Sequence, residues 1–260
     1  MEYLLHTILL GCIEGITEFL PISSTGHLLI AEHWLGQRSE LFNVSIQAGA
    51  ILAVVLIYWQ RLWSLFLGIA TSGHRDYLMK LLLSFLITVV GGFAAKQLGL
   101  ELPETVAPVA WALIIGAVVI FVVERYVSHH QISDQVTWQV AVVVGLGQIL
   151  AAVFPGTSRS AATIFAAMLA GLTSRAAATE FAFLVGIPTM FAATGYELLK
   201  VVKNDHLLQE DWSALAIGFV VSAIVAFIAV KWLLRYIQSH RFIVFAWYRL
   251  ILGAFLLVAL

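Results

Sequence analysis

The chain has 260 residues, 61% of them hydrophobic and 11% charged, with a formal net charge of -1. Soluble domains carry roughly 25% charged residues, so this composition excludes an ordinary soluble enzyme and predicts an integral membrane protein. It also excludes a nucleic-acid partner, because no basic stripe is available to neutralise phosphates along a duplex.

In chain order, Met1-Glu2-Tyr3 lacks the basic segment and small-residue cleavage site of a secretory signal, so the first apolar run is expected to be retained. The single cysteine, Cys12, cannot form a disulfide within the chain. Apolar runs near 4–20 and 24–36 are joined at Leu20-Pro21-Ile22-Ser23. The second run is about 13 residues, which as a helix covers roughly 20 Å of a hydrocarbon core about 30 Å thick. The pair therefore predicts a re-entrant hairpin whose tip stops at membrane depth, where irregular backbone is tolerated only inside protein or a wet cavity.

Full-length runs follow near 43–67, 77–97 and 106–127. A second short pair, near 136–153 and 158–170, joins at Phe154-Pro155-Gly156-Thr157, and three more full runs follow near 176–200, 212–236 and 242–260. Aligning Pro21 with Pro155 pairs Gly11 with Gly145, Glu14 with Gln148 and Ser24 with Ser158. A hairpin followed by an odd number of spans inverts the second copy relative to the first. The expected architecture is thus one all-α membrane domain over residues 1–260, with six transmembrane helices plus two re-entrant helical hairpins. These form an inverted-topology repeat of about 1–130 and about 131–260, with a site near the repeat interface.

The loops 98–105, with Glu101, Pro103 and Glu104, and 203–211 read as polar connections, and Gly186-Ile187-Pro188 predicts a kink. Arg61, Arg75, Lys80, Arg125, Arg175, Lys231, Arg235 and Arg241 fall on one side; Arg38, Lys96, Lys200 and Lys203 fall on the other. Short cytoplasmic loops are enriched in Lys and Arg, so the first side is expected to be cytoplasmic. Both termini and the mouth of the first hairpin then face the periplasm or cell exterior.

Ionisable residues at membrane depth are costly and usually functional, which directs attention to the stretch from Glu14 to His27. Glu14 and Glu18 are four apart, one turn along the same helix face. Adjacent carboxylates at low dielectric either share a proton or hold a divalent cation; the bland alternative is a pair facing a wet cleft. Ser23, Ser24, Thr25 and Gly26 supply hydroxyls and free N–H groups at a helix start, suited to an anion or simply to capping. His27 lies three residues after Ser24, within reach as an acid or base. In the second tip, Arg159 sits among Thr157, Ser158, Ser160 and Thr163, and a guanidinium there needs Glu14, Glu18 or a bound anion as counter-charge. Glu180 and Arg249 read as structural. Together these groups suit a phosphate ester or diphosphate with a lipid tail.

Glu14-Gly15-Ile16-Thr17-Glu18, Pro21-Ile22-Ser23-Ser24-Thr25-Gly26-His27 and Pro155-Gly156-Thr157-Ser158-Arg159-Ser160 resemble the signature motifs of the bacterial undecaprenyl-diphosphate phosphatase family, also called the bacitracin-resistance proteins. The likeness extends over nearly the whole chain, through Gln47-Ala48-Gly49 and Phe245-Ala246-Trp247-Tyr248-Arg249. It departs at Ala161, where the family usually has Gly, and at Asn43, a position often acidic. The resemblance implies an enzyme of the bacterial cytoplasmic (inner) membrane, with its active site toward the periplasm. Its substrate would be a polyprenyl diphosphate lipid whose terminal phosphate is removed to recycle the carrier for peptidoglycan, and it would act amid membrane lipid, with a homodimer as an allowed assembly.

By the same resemblance, Glu14 and Glu18 are the acidic pair, Ser24 the nucleophile, His27 its catalytic partner and Arg159 the diphosphate clamp. Ser23, Thr25 and Gly26 on the first turn, and Gln148, Gly156, Thr157, Ser158, Ser160 and Thr163 on the second, are expected to bind substrate. Glu14 and Glu18 would hold Mg²⁺ or Ca²⁺. One variant lets His27 or a metal-bound water act directly, leaving Ser24 as a ligand. The rival class is a transporter or flippase for a prenyl phosphate lipid, which the same inverted repeat would serve; Ser24-x-x-His27 next to the paired Glu14 and Glu18 favours the hydrolase, since a carrier has no need of a nucleophile beside a base. Ser24 and Arg159 should therefore converge within reach of one phosphate.

Overall fold

The structure, a computed structural model, describes residues 2–100, 105–203 and 210–259. The regular secondary structure of those residues is helical: α1 (Glu2–Thr17), α2 (Ser24–Leu35), α3 (Glu40–Ile57), α4 (Trp59–Leu67), α5 (Ser72–Gln97), α6 (Val106–Val127), α7 (Trp138–Val153), α8 (Arg159–Leu169), α9 (Arg175–Lys203), α10 (Trp212–Ser239) and α11 (Ile243–Ala259). Among the described residues, α3, α5, α6, α9 and α10 are long and apolar enough to cross a membrane, five helices where six spans were expected. The sixth expected span, α11, has 17 residues and falls just short of that length. Glu101, Pro103 and Glu104, and most of the 203–211 connection, lie outside the described residues.

The expected run 43–67 is divided. Helix α3 ends at Ile57, and Tyr58 carries φ -96° and ψ 15° before α4 begins. Continuing the helix would carry Arg61 along an apolar path; turning instead brings its guanidinium to Glu180 of α9 at 3.0 Å. Helix α4 buries only Leu65 and leaves Trp59 and Trp63 exposed, as suits a helix lying along an interface. Helix α9 runs unbroken through Pro188.

The packing has a mirrored order. Helix α1 packs on α10, which packs on α3; α7 packs on α5, which packs on α9. The first helix of each short pair, α1 and α7, thus leans on a long helix from the other half of the chain. The positions paired by the sequence alignment both make close approaches: an added Cβ would lie 3.0 Å from the Gly218 carbonyl oxygen at Gly11 and 2.9 Å from that of Ser84 at Gly145. Small residues allow such approach, which is the main source of helix association in lipid. Helices α6 and α11 pack together, and α3 meets α9 across the halves.

Two buried charges away from the short turns, Glu124 and Lys80, are paired. Glu124 accepts hydrogen bonds from both Nε (2.9 Å) and Nη2 of Arg175 and from the backbone N–H of Phe242 at 2.8 Å, tying α6, α9 and the start of α11 together. Lys80 donates to Asp76 and to the Val136 carbonyl. The outward faces carry large apolar side chains such as Val90, Phe93, Ile115, Val122, Ile228 and Ile251, the surface that hydrocarbon would contact.

Candidate active site

Two helix starts meet in the middle of this packing. In the first turn Ser23 takes φ 74°, and its side chain accepts a hydrogen bond from the Gly26 N–H at 3.2 Å. In the second turn Ser158 takes φ 68° and accepts from the Ala161 N–H at 3.3 Å. Positive φ is uncommon for residues bearing a side chain, so each turn relies on its surroundings to hold it. By this shared cap Ser23 matches Ser158, so that Ser24 and Arg159 are the first residues of α2 and α8, one position away from the expected pairing of Ser24 with Ser158.

Arg249 of α11 staples the two turns. It is fully buried and donates to the carbonyls of Pro21 (3.3 Å), Gly156 (3.3 Å) and Thr157 (3.1 Å), as well as Leu113 (3.3 Å) and Ala112 (2.9 Å) of α6. The structural role expected for Arg249 is what these bonds describe. Gly156 completes the junction. At φ +87°, with an added Cβ 2.8 Å from Val109 Cα, it has room for no side chain. A further tie is Ser160 Oγ, which donates to the Leu20 carbonyl at 3.1 Å.

Between the stapled turns, Glu18 joins the two halves. Its Oε2 accepts a hydrogen bond of 2.5 Å from Ser24 Oγ, and its Oε1 lies 3.2 Å from Arg159 Nη2. Ser24 and Arg159, remote in sequence, thus converge as expected, with one carboxylate linking them. The counter-charge required by Arg159 is Glu18. Glu14, one turn earlier, is fully buried, and neither of its carboxylate oxygens makes a hydrogen bond.

These groups face a cavity of ≈ 240 Å³ whose lining includes Glu18, Ser24, Thr25, Gly156, Ser158 and Arg159. Gln148 also lines it and donates to Thr88 Oγ1 at 3.1 Å, leaving its own carbonyl oxygen unbonded. Gln47, Thr88 and Thr189 are lining residues that the sequence reading did not assign to the site. Only Gln47 carried a signal, in the Gln47-Ala48-Gly49 motif; Thr88 and Thr189 look like single hydroxyls in apolar runs.

Several expected site residues also make contacts within or beside their own turns. Thr163 donates back to the Arg159 carbonyl at 2.8 Å, the usual fate of a helix threonine. Thr157 lies on the opposite side of its turn, lining an apolar groove between α6, α7 and α8. Ser23 is the cap of α2, Gly26 packs against Val109, and Ser158 and Ser160 share a hydrogen bond at 3.0 Å.

His27 is the main difference from expectation, because it does not meet Ser24. Its Nδ1 is 2.6 Å from the Ser23 carbonyl oxygen and its Nε2 is 2.6 Å from the Tyr248 hydroxyl, so both ring nitrogens are engaged. The group at the Ser24 hydroxyl is Glu18. A residue at the fourth position of a helix points its side chain back over the preceding turn, here toward Ser23.

A family model described as bacitracin resistance protein BacA matches residues 7–255. An undecaprenyl-diphosphatase of Rhizobium etli is 63% identical over 257 residues, which is 99% of this chain and 97% of that protein. An undecaprenyl-diphosphatase of Xanthomonas euvesicatoria pv. vesicatoria is 56% identical over 258 residues, again 99% of this chain and 97% of that protein.

Proposed function

The chain belongs to the family of the bacitracin resistance protein BacA, and from that premise we propose that it hydrolyses undecaprenyl diphosphate at the cavity where Glu18 joins Ser24 to Arg159. The products are undecaprenyl phosphate and inorganic phosphate; recycling of the lipid carrier and resistance to bacitracin follow from that reaction. The observation that carries the assignment of residues is the single carboxylate contacting both a hydroxyl nucleophile and a phosphate-binding guanidinium, one from each half of the chain.

Ser24 Oγ attacks the terminal phosphorus in line with the bridging oxygen. Its proton passes to Glu18 Oε2, already at hydrogen-bond distance, the P–O bond to the bridging oxygen breaks, and the lipid monophosphate leaves. Water then attacks the phosphoserine, releasing phosphate and restoring Ser24. Without ligand Arg159 pairs with Glu18; an arriving diphosphate offers it matched oxygens, which frees Glu18 to act as base and brings the guanidinium to the equatorial oxygens, where charge must be stabilised. Free N–H groups at the starts of α2 and α8 add donors.

Glu14 and Glu18 are the residues that would hold Mg²⁺ or Ca²⁺. The unbonded oxygens of buried Glu14 fit such a cation. Among the described residues no group of three or more acidic, histidine or cysteine side chains is available, so the remaining positions would fall to diphosphate and water. Bound there, a cation supplies charge neutralisation to the diphosphate.

The finer architecture is six spans, with α11 the sixth, and two re-entrant hairpins, α1–α2 and α7–α8, in inverted repeats that form one membrane domain. The mirrored packing of α1–α10–α3 and α7–α5–α9 supports it. The membrane is the bacterial cytoplasmic membrane, with the cavity and both termini toward the periplasm. In support, Lys96 and Lys200, from the sparsely charged side, gather on the Tyr196 ring, each 5.5 Å from its centroid.

The test is purified protein in detergent with undecaprenyl diphosphate, assayed for free phosphate. The expected result is release by the unmodified protein and a loss of about 10²-fold or more in Arg159→Ala. No release by the unmodified protein would shift the assignment to lipid transport.

A further inference from the structure

The contacts of His27 show a chain of support that the proposed reaction does not use directly. A carbonyl oxygen only accepts, so the proton between His27 and the Ser23 carbonyl resides on Nδ1. In the neutral imidazole Nε2 is then an acceptor, and the Tyr248 hydroxyl donates to it at 2.6 Å. The two rings are parallel to within 5°, with centroids 5.6 Å apart. The Tyr248 hydroxyl thereby selects the tautomer that can hold Ser23.

Ser23 is where such a hold has consequences. Its φ of 74° and ψ of 99° lie outside the regions most residues prefer, and its carbonyl belongs to the peptide plane leading into Ser24. Fixing that carbonyl fixes the direction in which Ser24 presents its hydroxyl to Glu18. His27 also donates its own backbone N–H to the same oxygen at 3.4 Å. Adjacent residues of α11 therefore restrain both ends of one short stretch: Arg249 binds the carbonyl of Pro21, and Tyr248, through His27, that of Ser23.

The second turn provides a comparison within the same molecule. Ser158 has nearly the same backbone conformation and the same kind of cap, but the position corresponding to His27 is Ala162. The conformation thus forms without an imidazole brace, and the brace occurs only on the turn that carries the hydroxyl nucleophile.

We propose that Tyr248 is a positioning residue for the reaction, acting through His27 on the Ser23 carbonyl to aim Ser24 at Glu18. The proposal rests on the phosphatase reading above. It separates His27 from proton transfer, since neither ring nitrogen faces Ser24.

The test combines Tyr248→Phe, which keeps the ring and removes the hydroxyl, with replacements that mimic one imidazole nitrogen each. The amide nitrogen of His27→Asn can reproduce the Nδ1–H donor; His27→Gln reaches only toward the Nε2 position. Kinetics of phosphate release from a prenyl diphosphate are measured for each, and ¹⁵N NMR of the imidazole, identified by its loss in His27→Asn, reports the tautomer. Tyr248→Phe is expected to lower kcat about 5-fold to 10-fold with KM nearly unchanged, in line with loss of one hydrogen bond, and to replace the single Nδ1–H signature by a tautomer mixture. His27→Asn is expected to exceed His27→Gln and His27→Ala in kcat, and Tyr248→Phe to cost nothing further in the His27→Asn background. A kcat for Tyr248→Phe within twofold of the unmodified enzyme would overturn the proposal, as would an equal loss in both backgrounds or a His27→Asn no better than His27→Ala. In those cases the phosphatase reading stands, whereas an unmodified protein that releases no phosphate would overturn both.

Discussion

Glu18 has two oxygens and two partners, a hydroxyl from its own half of the chain and a guanidinium from the other. Replacing it with Gln keeps the size and an acceptor but removes the charge that would take the serine proton in the proposed reaction. Glu18→Gln should therefore lower kcat by about 10²-fold to 10⁴-fold, measured as phosphate release, and a kcat within a few-fold of normal would remove Glu18 as base. Glu18, Ser24 and Arg159 were legible in the sequence because charged and hydroxyl groups stand out against an apolar chain and cost too much at depth to lack a use. The partner of His27 was not legible, since Tyr248 lies 221 positions away and only packing brings it near. The back-bonding of Thr163 was not legible either, because a helix hydroxyl can satisfy itself on the preceding carbonyls, which residue type alone does not disclose.

The elements that matter most are the two turns, each too short and too polar to hold itself at the middle of the fold. Their support comes from α11 through Arg249 and from α6 through Val109, against which Gly156 lies. Gly156→Ala places a Cβ into that contact at a positive φ, so it should destabilise the protein by roughly 1–3 kcal/mol and lower the Tm in detergent. An unchanged Tm would mean the turn is held more loosely than its contacts indicate. The breaks at Pro21 and Pro155 were readable from proline, glycine and hydroxyl clusters between apolar runs too short to span. The break at Tyr58 was not, because no proline or glycine marks it and apolar residues resume after Gln60 and Arg61. The expected pairing of the two short pairs matches close helix contacts at Gly11 and Gly145 but differs by one at the turns, where the backbone caps and not the residue names define the match.

For the whole molecule, the hairpin of each half packs on a long helix of the other, so neither half completes its own core. That interlocking brings the first residues of α2 and α8 to one cavity. Run lengths and the parity of spans are what suggest an inverted repeat in the sequence; the packing of each short pair on the other half is a tertiary property with no local signature. The proposed orientation has a direct check in a Cys12→Ala background. Gln37→Cys, in the connection between α2 and α3, should react with a membrane-impermeant thiol reagent added to intact cells, whereas Ser128→Cys, after α6, should be protected. The reverse pattern would invert the assignment.

The convergence of two halves on one phosphate is tested most directly by the turnover of Ser24→Ala, measured as phosphate release by enzyme whose Tm matches the unmodified protein. Loss of a nucleophile that forms a covalent intermediate should reduce kcat by about 10³-fold or more. Turnover within tenfold of normal would contradict the account, leaving Ser24 as a ligand and the attack to another group.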